Sequence, residues 1–473
     1  AELDFEPSPR VWAQVSTTAT DCPGALRCPA GEACFAEDAR RRAEAAAVVV
    51  VNTHLYGAHL ASGGHVLPDH DVVVFDEAHE LEDIAAASLG LELTPGRLRA
   101  LGAVARGASP DKGHAADELM AAADSLEQVL GPWTGKRLPR PLDGSVDAAL
   151  ELVAERVARV VASVRQASDD DPRRARALQA GGHLASDLAL LRAPAVTDVT
   201  WVEGPARAPV LRMAPVDVGE RLADRLWGTV TAVLTSATIP PLLGQRLGIA
   251  AFEELDVGSP FAYDEQALLY CAAHLPDPRR PDYEAAMHDE LSWLIGAAGG
   301  RTLALFTSWR AMEAAAAVVR ERVPYRVMTQ ADLPKPLLVE QFAGEESSCL
   351  FATMGFWQGV DIPGPALSLV VIDRLPFPRP DEPLQQARRE RAGAGAFKIV
   401  DLPRAATLLA QGAGRLIRTA TDRGVVAVLD PRLATATYRW DLVNALPPMR
   451  RTRHRQQVAE FLAAGFAATV ACP

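Results

Sequence analysis

Short and continuous apolar runs, separated by stretches with a helical pattern, constrain the fold of this chain more than any other feature. Seven runs have the length of a β-strand or contain one: VVVVNTHL (48–55), VVVFDEAH (72–79), GTVTAVLTSAT (228–238), TLALFTS (302–308), SSCLFATMGFW (347–357), ALSLVVIDRLPF (366–377) and GVVAVLD (424–430). The first two are too continuous for strands with one exposed face, and they suit a parallel sheet that is covered on both faces. The alternation with helical patterns predicts an α/β protein.

Length and composition limit the classes of protein that this chain can belong to. A chain of 473 residues is too long for one hydrophobic core, so two to four domains are expected. No apolar run reaches the roughly 18 residues that a membrane span requires, and the opening AELDFEPSPR does not look like a signal peptide. The net charge of −12 argues against a DNA-coating protein, but it allows a nucleic-acid motor whose basic residues line one channel.

Residues 85–200 differ from the rest of the chain. Long Ala-, Leu-, Arg- and Glu-rich stretches occur there, for example DAALELVAERVARVVASVRQA (147–167), with apolar residues at helical spacing. GPWTGKRLPRPLDG (131–144) and SDDDPRR (168–174) are predicted to be loops. The pattern predicts a mostly helical insertion.

Two carboxylates follow the predicted strand in VVVFDEAH. Asp76 and Glu77 lie at its carboxyl end, which is where α/β sheets bind ligands. In nucleotide hydrolases an aspartate at this place holds Mg²⁺, and a neighbouring glutamate can polarise the attacking water. Acidic residues also open helices, so the tetrapeptide by itself leaves a helix cap as an equal alternative.

The second half of the chain supplies further candidate residues. QGAGRLIRT (411–419) begins on a helical pattern and places Arg415 and Arg418 three positions apart, on one predicted helical face. Two guanidinium groups on one face suit a γ-phosphate, although two surface arginines are the simpler alternative. LTSAT (234–238) ends a predicted strand in small hydroxyl residues, and FATMGFWQGVDIPG (351–364) contributes glycines and Asp361.

Three of the six cysteines are clustered near the start of the chain. Cys22, Cys28 and Cys34 lie within thirteen residues, a clustering that suggests a metal rather than disulfides in an intracellular protein. Their spacing suits zinc as well as an iron–sulfur cluster, and loop thiols without a metal are a third alternative. Cys271 and Cys349 fall in predicted strands and are expected to be buried packing thiols.

The order of the motifs resembles a known family. DEAH, LTSAT, LFTSW, GFWQGVDIPG and QGAGRLIR resemble motifs II to VI of superfamily 2 helicases, and the chain looks most like the iron–sulfur branch, the DinG/XPD family. SPFAYDEQALLYCAAHLPDP (259–278) and VVIDRLPFPRPDEPL (370–384) resemble that branch too. The resemblance covers about residues 1–80 and 205–445, and the helical insertion matches only by its position.

The resemblance implies an α/β fold with two RecA-like parallel-sheet motor domains, an Fe–S cluster segment and a helical Arch-like insertion. The implied division is an incomplete cluster segment at 1–45, the first motor domain at 46–84 and 205–245, the insertion at 85–204, and the second motor domain at 246–473.

The resemblance also implies roles for individual residues. Asp76 would hold Mg²⁺ and Glu77 would activate water, with Arg415 and Arg418 as further catalytic residues. The residues implied to bind ATP or to couple its hydrolysis to movement are His79, Ser236, Thr238, Gly359, Asp361 and Gln411. Cys22, Cys28 and Cys34 would be three of the four ligands of a 4Fe–4S cluster.

DNA contacts are implied in the second motor domain. Thr307, Ser308 and Trp309 would meet the single strand, where Trp309 either stacks on a base or packs internally. Candidates for phosphate contacts are Arg379, Arg388, Arg389, Arg391 and the run RRTRHR (450–455), although a charged run is more often a solvated face.

The implied function is an ATP-dependent DNA helicase. It would move 5′ to 3′ on single-stranded DNA and unwind duplex, forked or structured DNA in repair or replication, as a monomer in the cytoplasm, associated with the nucleoid. The sequence contains no P-loop of the form G-x-x-x-x-G-K-[ST], because GPWTGKR (131–137) has the wrong glycine spacing, and it contains no fourth cluster cysteine. In the family both precede residue 1, so we expect a chain that starts within the first motor domain, with impaired ATPase activity and poor solubility. The alternative is a non-catalytic nucleic-acid-binding protein with a degenerate motor.

Overall fold

The computed structural model describes residues 28, 31–108, 111, 113–168, 171–357, 362 and 364–470. Contacts divide the chain into two compact units, and each unit is assembled from three stretches of chain. The first unit consists of Ala1–Ala237, Leu242–Phe252 and Arg379–Arg391. The second unit consists of Thr238–Pro241, Glu253–Pro378 and Ala392–Pro473.

The strands and helices of the described residues are numbered in chain order. The strands are β1 (Val72–Phe75), β2 (Leu91–Leu93), β3 (Asp198–Glu203), β4 (Val210–Pro215), β5 (Thr231–Leu234), β6 (Ala267–Cys271), β7 (Thr302–Leu305), β8 (Val327–Thr329), β9 (Cys349–Ala352), β10 (Leu369–Ile372), β11 (Gly424–Val428) and β12 (Arg450–Thr452). The helices are α1 (Phe35–Glu44), α2 (Thr53–Ala61), α3 (Leu81–Ser88), α4 (Pro95–Ala108), α5 (His114–Leu130), α6 (Gly144–Arg165), α7 (Pro172–Arg192), α8 (Gly219–Leu222), α9 (Leu243–Arg246), α10 (Tyr263–Gln266), α11 (Tyr283–Ala298), α12 (Trp309–Arg322), α13 (Lys335–Gly344), α14 (Pro383–Ala392), α15 (Leu402–Ala413), α16 (Arg432–Thr435), α17 (Arg439–Val443) and α18 (Arg455–Val470).

In the first unit, β1 and β5 form a parallel pair. The register runs from Val72 opposite Thr231 to Phe75 opposite Leu234. Phe75 is buried in a small core with residues of α2, α3 and the segment that precedes β5. This pairing brings the ends of VVVF and TAVL side by side, although 155 residues separate the two strands along the chain.

The prediction of a strand at VVVVNTHL (48–55) is wrong. Val48 and Val50 are 80% and 93% exposed, and the structure begins α2 at Thr53. Asn52 caps this helix, because its side chain accepts a hydrogen bond of 2.7 Å from the backbone N–H of Leu55. No strand among the described residues pairs with 48–51, so the apolar run gains no sheet partner.

The helical prediction for the middle of the chain is confirmed by α4 to α7. The loop predicted at 131–144 precedes α6, and α7 begins inside the loop predicted at 168–174, at Pro172. The sequence did not predict an antiparallel sheet of order β2-β4-β3, which shares a core with these helices. Leu93, Val202 and Leu211 are its fully buried members from β2, β3 and β4.

Helix α14 comes late in the sequence and packs within the first unit. Ala387 is buried against Trp201 and Ala214. Arg388 is only 8% exposed, and its guanidinium lies 2.6 Å from Asp83 Oδ1. A buried arginine paired with carboxylates is not available to a DNA phosphate, so the prediction for Arg388 is wrong.

The second unit contains a seven-stranded sheet in the order β12-β6-β11-β10-β7-β9-β8, and all its pairs are parallel. Strands β7, β9, β10 and β11 lie inside the runs predicted as strands, and every residue in them is buried. Two hydrophobic cores contain alternate residues of these strands, as expected when helices cover both faces. The predicted α/β fold is confirmed.

Cys271 and Cys349 are buried in β6 and β9, as predicted. Burial in apolar surroundings raises the pKa of both thiols to about 12, so neither ionises near neutral pH. Among the described residues, none of the helices combines the length and the apolar character required of a membrane-crossing helix.

Candidate functional site

The turn after β1 positions the two carboxylates of the DEAH motif. Glu77 adopts the left-handed conformation, with φ of 51° and ψ of 44°, which L-residues other than glycine rarely adopt. Its backbone N–H donates a 3.0 Å hydrogen bond to Asp76 Oδ1, and the next N–H, of Ala78, donates to the carbonyl oxygen of Thr235 at 2.9 Å. A short 3₁₀ turn and then α3 follow. Asp76 and Glu77 therefore lie at the end of a strand and also directly before a helical segment, so the two alternatives for this tetrapeptide are compatible.

The DEAH and LTSAT motifs contact each other directly. Thr235 Oγ1 donates a hydrogen bond of 3.1 Å to Asp76 Oδ1, and His79 Nδ1 lies 2.8 Å from Ser236 Oγ. Thr235 was not among the predicted site residues. The parallel register would have identified it, because Phe75 pairs with Leu234 and the next residues of the two strands are Asp76 and Thr235.

His79 is buried between the two motifs. Its side chain is 5% exposed, and burial lowers the pKa of its imidazole, although nearby carboxylates, Glu77 foremost, oppose that effect. Glu77 Oε2 lies 3.3 Å from His79 Nδ1. The ring therefore contacts both the carboxylate turn and Ser236.

Thr238, Gly359 and Asp361 are three further residues predicted to couple hydrolysis to movement. Gly359 and Asp361 lie outside the described residues. Thr238 belongs by its contacts to the second unit, whereas Ser236 belongs to the first.

The prediction that Arg415 and Arg418 share a helical face is wrong. Helix α15 ends at Ala413, and both arginines lie in the turn and loop that follow it. Leu416 and Ile417 are each 2% exposed, so the chain turns inward there to bury two apolar side chains instead of continuing the helix.

Asp422 stabilises the loop that contains Arg418. Its carboxylate accepts hydrogen bonds of 2.7 Å from the backbone N–H groups of Arg418 and Thr419. Gln266 reinforces the same loop, because its side-chain amide donates to the carbonyl oxygens of Thr419, Ala420 and Asp422. Backbone groups that a helix would have paired are thus satisfied by side chains.

Arg415 lies beside the GFW segment. Its Nε donates a hydrogen bond of 2.8 Å to the carbonyl oxygen of Trp357. Lys335 Nζ donates to the carbonyl oxygen of Gly355 at 2.7 Å, and burial, together with the charge of Arg415, lowers the pKa of this lysine. Lys335 lies in none of the motifs and was not predicted as a site residue. Gln411, in the last turn of α15, is half-buried.

Thr307, Ser308 and Trp309 follow β7. The backbone N–H and the hydroxyl of Thr307 donate to the two oxygens of Asp373, at 2.9 and 3.2 Å. Ser308 caps α12 by accepting from the N–H of Ala311, and Trp309 is 50% exposed. Burial raises the pKa of Asp373 to about 7. Asp373 was not among the predicted site residues, although VVID places an acid directly after a buried strand, as VVVFD places Asp76 after β1.

Comparisons with known proteins show the family to which the chain belongs. The Helicase C-terminal domain profile matches residues 291–449. An ATP-dependent helicase DinG from Mycobacterium tuberculosis is 41% identical over 476 residues, which cover 95% of this chain and 71% of the relative. The chain belongs to the DinG/YoaA family of ATP-dependent helicases.

A second relative and a solved structure extend the comparison. An ATP-dependent DNA helicase YoaA from Haemophilus influenzae is 34% identical over 479 residues, which cover 95% of this chain and 74% of the relative. A solved XPD helicase matches with a TM-score of 0.54 at 16% identity, over 84% of this chain and 72% of that one. The second likeness concerns the fold alone. The predicted DinG/XPD membership is confirmed.

The cysteines that the DinG/XPD resemblance implies as cluster ligands are described only in part. Cys28 and Cys34 are half-buried free thiols, and Cys34 immediately precedes α1. Cys22 lies outside the described residues. Within the part of the chain that the structure describes, no group of three His, Cys, Asp or Glu side chains is placed to hold a metal ion.

Proposed function

We propose that this chain acts as an ATP-dependent DNA helicase, which couples ATP hydrolysis to movement along single-stranded DNA. The observation that carries the proposal is the hydrogen-bonded cluster that joins the DEAH and LTSAT motifs, Asp76 to Thr235 and His79 to Ser236. Membership of a family of ATP-dependent helicases supports it.

The DEAH turn provides the hydrolytic residues. Asp76 Oδ1 accepts hydrogen bonds from Thr235 and from the N–H of Glu77, which orient the carboxylate, and Asp76 would hold Mg²⁺. When bound, Mg²⁺ would offset the negative charge of the ATP phosphates. Glu77, 55% exposed at its side chain, would orient the attacking water.

Arg415 and Arg418 would bind phosphate from the second unit. They lie in an irregular segment, where the carbonyl oxygen of Trp357 accepts a hydrogen bond from Arg415 Nε and Asp422 accepts one from the backbone N–H of Arg418. Guanidinium groups suit phosphate oxygens because their donors are planar and the group is always charged.

His79 and Ser236 would transmit the state of the nucleotide. A change at the DEAH turn alters the position of the imidazole, and the 2.8 Å bond to Ser236 passes that change to the segment after β5. Thr238, Gly359, Asp361 and Gln411 would complete this coupling.

Thr307, Ser308 and Trp309 would contact the single strand, with the exposed Trp309 ring stacking on a base. We further propose movement from 5′ to 3′ and action by a monomer in the cytoplasm, at the nucleoid, on forked or structured DNA. Strand displacement with 5′-tailed and 3′-tailed duplexes tests the direction, since only the 5′-tailed substrate should be unwound.

Cys22, Cys28 and Cys34 would supply thiolates to a 4Fe–4S cluster, whose role in such a protein is structural or redox-active. Iron and sulfide content and visible absorption, measured on anaerobically purified protein, test this part. Zinc in place of iron would contradict it.

The deciding experiment measures ATP hydrolysis with and without single-stranded DNA, with Glu77→Gln as the control. It is run on this chain and on the Gln variant under the same conditions. DNA-stimulated turnover that the Gln variant lacks supports the helicase. DNA binding by this chain with no turnover would instead favour the non-catalytic nucleic-acid-binding protein.

A further inference from the structure

Five arginines lie around the edge strand β12 of the second unit. This arginine patch consists of Arg423, Arg439, Arg450, Arg451 and Arg453. Among the described residues, none of the five forms an ion pair with a carboxylate. The chain has a net charge of −12, so acidic partners are plentiful elsewhere, and an unneutralised group of cations in such a protein points to an external anion.

Aromatic rings hold these like charges in place. The guanidinium carbons of Arg439 and Arg451 lie 5.3 and 5.6 Å from the centre of the Trp440 ring. Those of Arg423 and Arg450 lie 4.2 and 5.1 Å from the centre of the Phe461 ring. Each ring attracts two cations that repel each other, so the arrangement becomes more favourable when a polyanion neutralises them.

A surface cleft borders part of the arginine patch. One part, of ≈ 350 Å³, is lined by Arg439, Arg451 and Arg453 and by apolar residues that include Leu269 and Val443. A neighbouring part, of ≈ 680 Å³, shares Arg453 with the first and adds His274 and Arg455. Arg423 and Arg450 line neither part, so the positive charge of the cleft comes from the other three arginines of the patch and from Arg455.

Few acidic groups oppose this charge. Glu290 is fully buried, and it is occupied by Arg455, His274 and Tyr270. Glu460 lines the larger part of the cleft and accepts a hydrogen bond from Gln456.

The position of the cleft in the sheet relates it to the proposed DNA contacts. Residues 453–455 follow β12 and His274 follows β6, so the cleft lies at the carboxyl edge of the parallel sheet. Thr307 to Trp309 follow β7 at the same edge. Four strand spacings separate β12 from β7, a distance of about 19 Å.

We propose that the arginine patch binds the phosphodiester backbone of single-stranded DNA as a second contact, beyond the Thr307–Trp309 segment. A single strand fits better than a duplex, because the 51% exposed Trp440 ring and the guanidinium planes offer stacking surfaces that only unpaired bases can use. The choice of DNA as the polyanion rests on the proposed function, but binding at the patch requires no ATP hydrolysis.

The test compares two triple variants of the full chain. The patch variant carries Arg439→Gln, Arg451→Gln and Arg453→Gln. The control variant carries Arg320→Gln, Arg322→Gln and Arg326→Gln, which removes the same charge from exposed arginines near the amino edge of the sheet, each of which has a carboxylate partner. Fluorescence anisotropy with oligo(dT) gives the affinity across a salt series.

Each phosphate contact contributes about 0.7 to the slope of log affinity against log salt for a single strand. Loss of three contacts should make this slope less steep by about 2. The ratio of the parent's affinity for oligo(dT) to that of the patch variant should therefore decrease by about 16-fold between roughly 50 and 200 mM salt. The control should keep the parent slope. Trp440→Leu should weaken binding severalfold with the slope unchanged, because stacking releases no counterions.

Two results would overturn the proposal. In the first, the patch variant keeps the parent affinity and slope. In the second, it binds oligo(dT) normally but loses binding to an acidic peptide such as polyglutamate, which would assign the cleft to a protein partner. Failure of the proposed function gives a different result, namely absence of DNA-stimulated ATP turnover in a parent chain that still binds DNA through the patch.

Discussion

Glu77 occupies a backbone conformation that its own side chain disfavours, and substitutions can measure the cost. An L-residue in the left-handed region costs roughly 1–2 kcal/mol, because Cβ approaches the following carbonyl oxygen. Three backbone hydrogen bonds hold the turn there: from the N–H of Glu77 to Asp76, from that of Ala78 to Thr235, and from that of Glu80 to Glu77. None of them uses the Glu77 side chain, so they persist in any variant at this position.

Glycine at this position relieves the strain, whereas alanine keeps it. Glycine also gains freedom in the unfolded chain, which offsets roughly 0.5–1 kcal/mol. Glu77→Gly should therefore stabilise the first unit by about 0.5–1 kcal/mol relative to Glu77→Ala. Both variants lack the carboxylate, so they should be equally inactive in ATP hydrolysis and differ only in stability.

Hydrogen exchange of peptides that cover β1 and α3 measures this difference without interference from the second unit. The expected outcome is exchange that is about two- to fivefold slower in the Gly variant than in the Ala variant. Equal exchange, or slower exchange in the Ala variant, would show that the left-handed turn carries no strain and would refute the reasoning.

Three further substitutions test other contacts. Burial raises the pKa of the Asp373 carboxyl from its ordinary value of 3.8 to about 7. The unfolded chain therefore releases this proton at a lower pH than the folded protein does, and the free energy of unfolding decreases as pH rises from 3.8 to about 7. Asp373→Asn should raise the melting temperature by a margin that grows over this interval and is constant above it, whereas a pH-independent margin would contradict the assignment. Arg388→Gln removes a buried guanidinium from two carboxylates and should lower the unfolding free energy of the first unit by about 2 kcal/mol in urea denaturation, whereas Arg391→Gln, at an exposed arginine that pairs with Asp217, should change it by less than about 1 kcal/mol. Ser236→Ala removes the hydroxyl that bonds His79 Nδ1 and should cost about 1–3 kcal/mol, measured by hydrogen exchange of β5, and unchanged protection there would contradict the contact.

The second unit was predictable from the sequence because its strands are buried on both faces. A central strand of a covered parallel sheet must be apolar at every position, and the runs that contain β7, β9, β10 and β11 meet that condition. VVVVNTHL meets it as well and forms no strand, because an apolar run specifies a strand only where a neighbouring strand pairs with it.

Predictions from the spacing of residues along the chain were wrong where tertiary contacts determine the conformation. Arg415 and Arg418 have helical spacing, but burial of Leu416 and Ile417 and the acceptor at Asp422 end the helix before them. The sheet of β2, β3 and β4 was missed because β2 has only three residues and precedes the long helices of that region, whereas its partner strands follow them. In contrast, Thr235 could have been predicted from the register of β1 and β5. Asp373 could have been predicted as an acid that directly follows a buried strand.

The route of the chain through the first unit has a consequence for its synthesis. This unit includes Arg379–Arg391, and its core residue Ala387 and ion-pairing residue Arg388 lie about 300 positions after the DEAH turn. A growing polypeptide cannot complete the first unit until this segment has left the ribosome, and most of the second unit's sheet has been translated by then. Trp201 and Ala214 therefore cannot pack against Ala387 until that residue has been synthesised. Glu82 and Asp83 likewise cannot form their ion pairs with Arg388 before that point. A stalled or prematurely ended chain would expose these residues, so translation pauses before residue 391 are the points at which this protein most needs a chaperone.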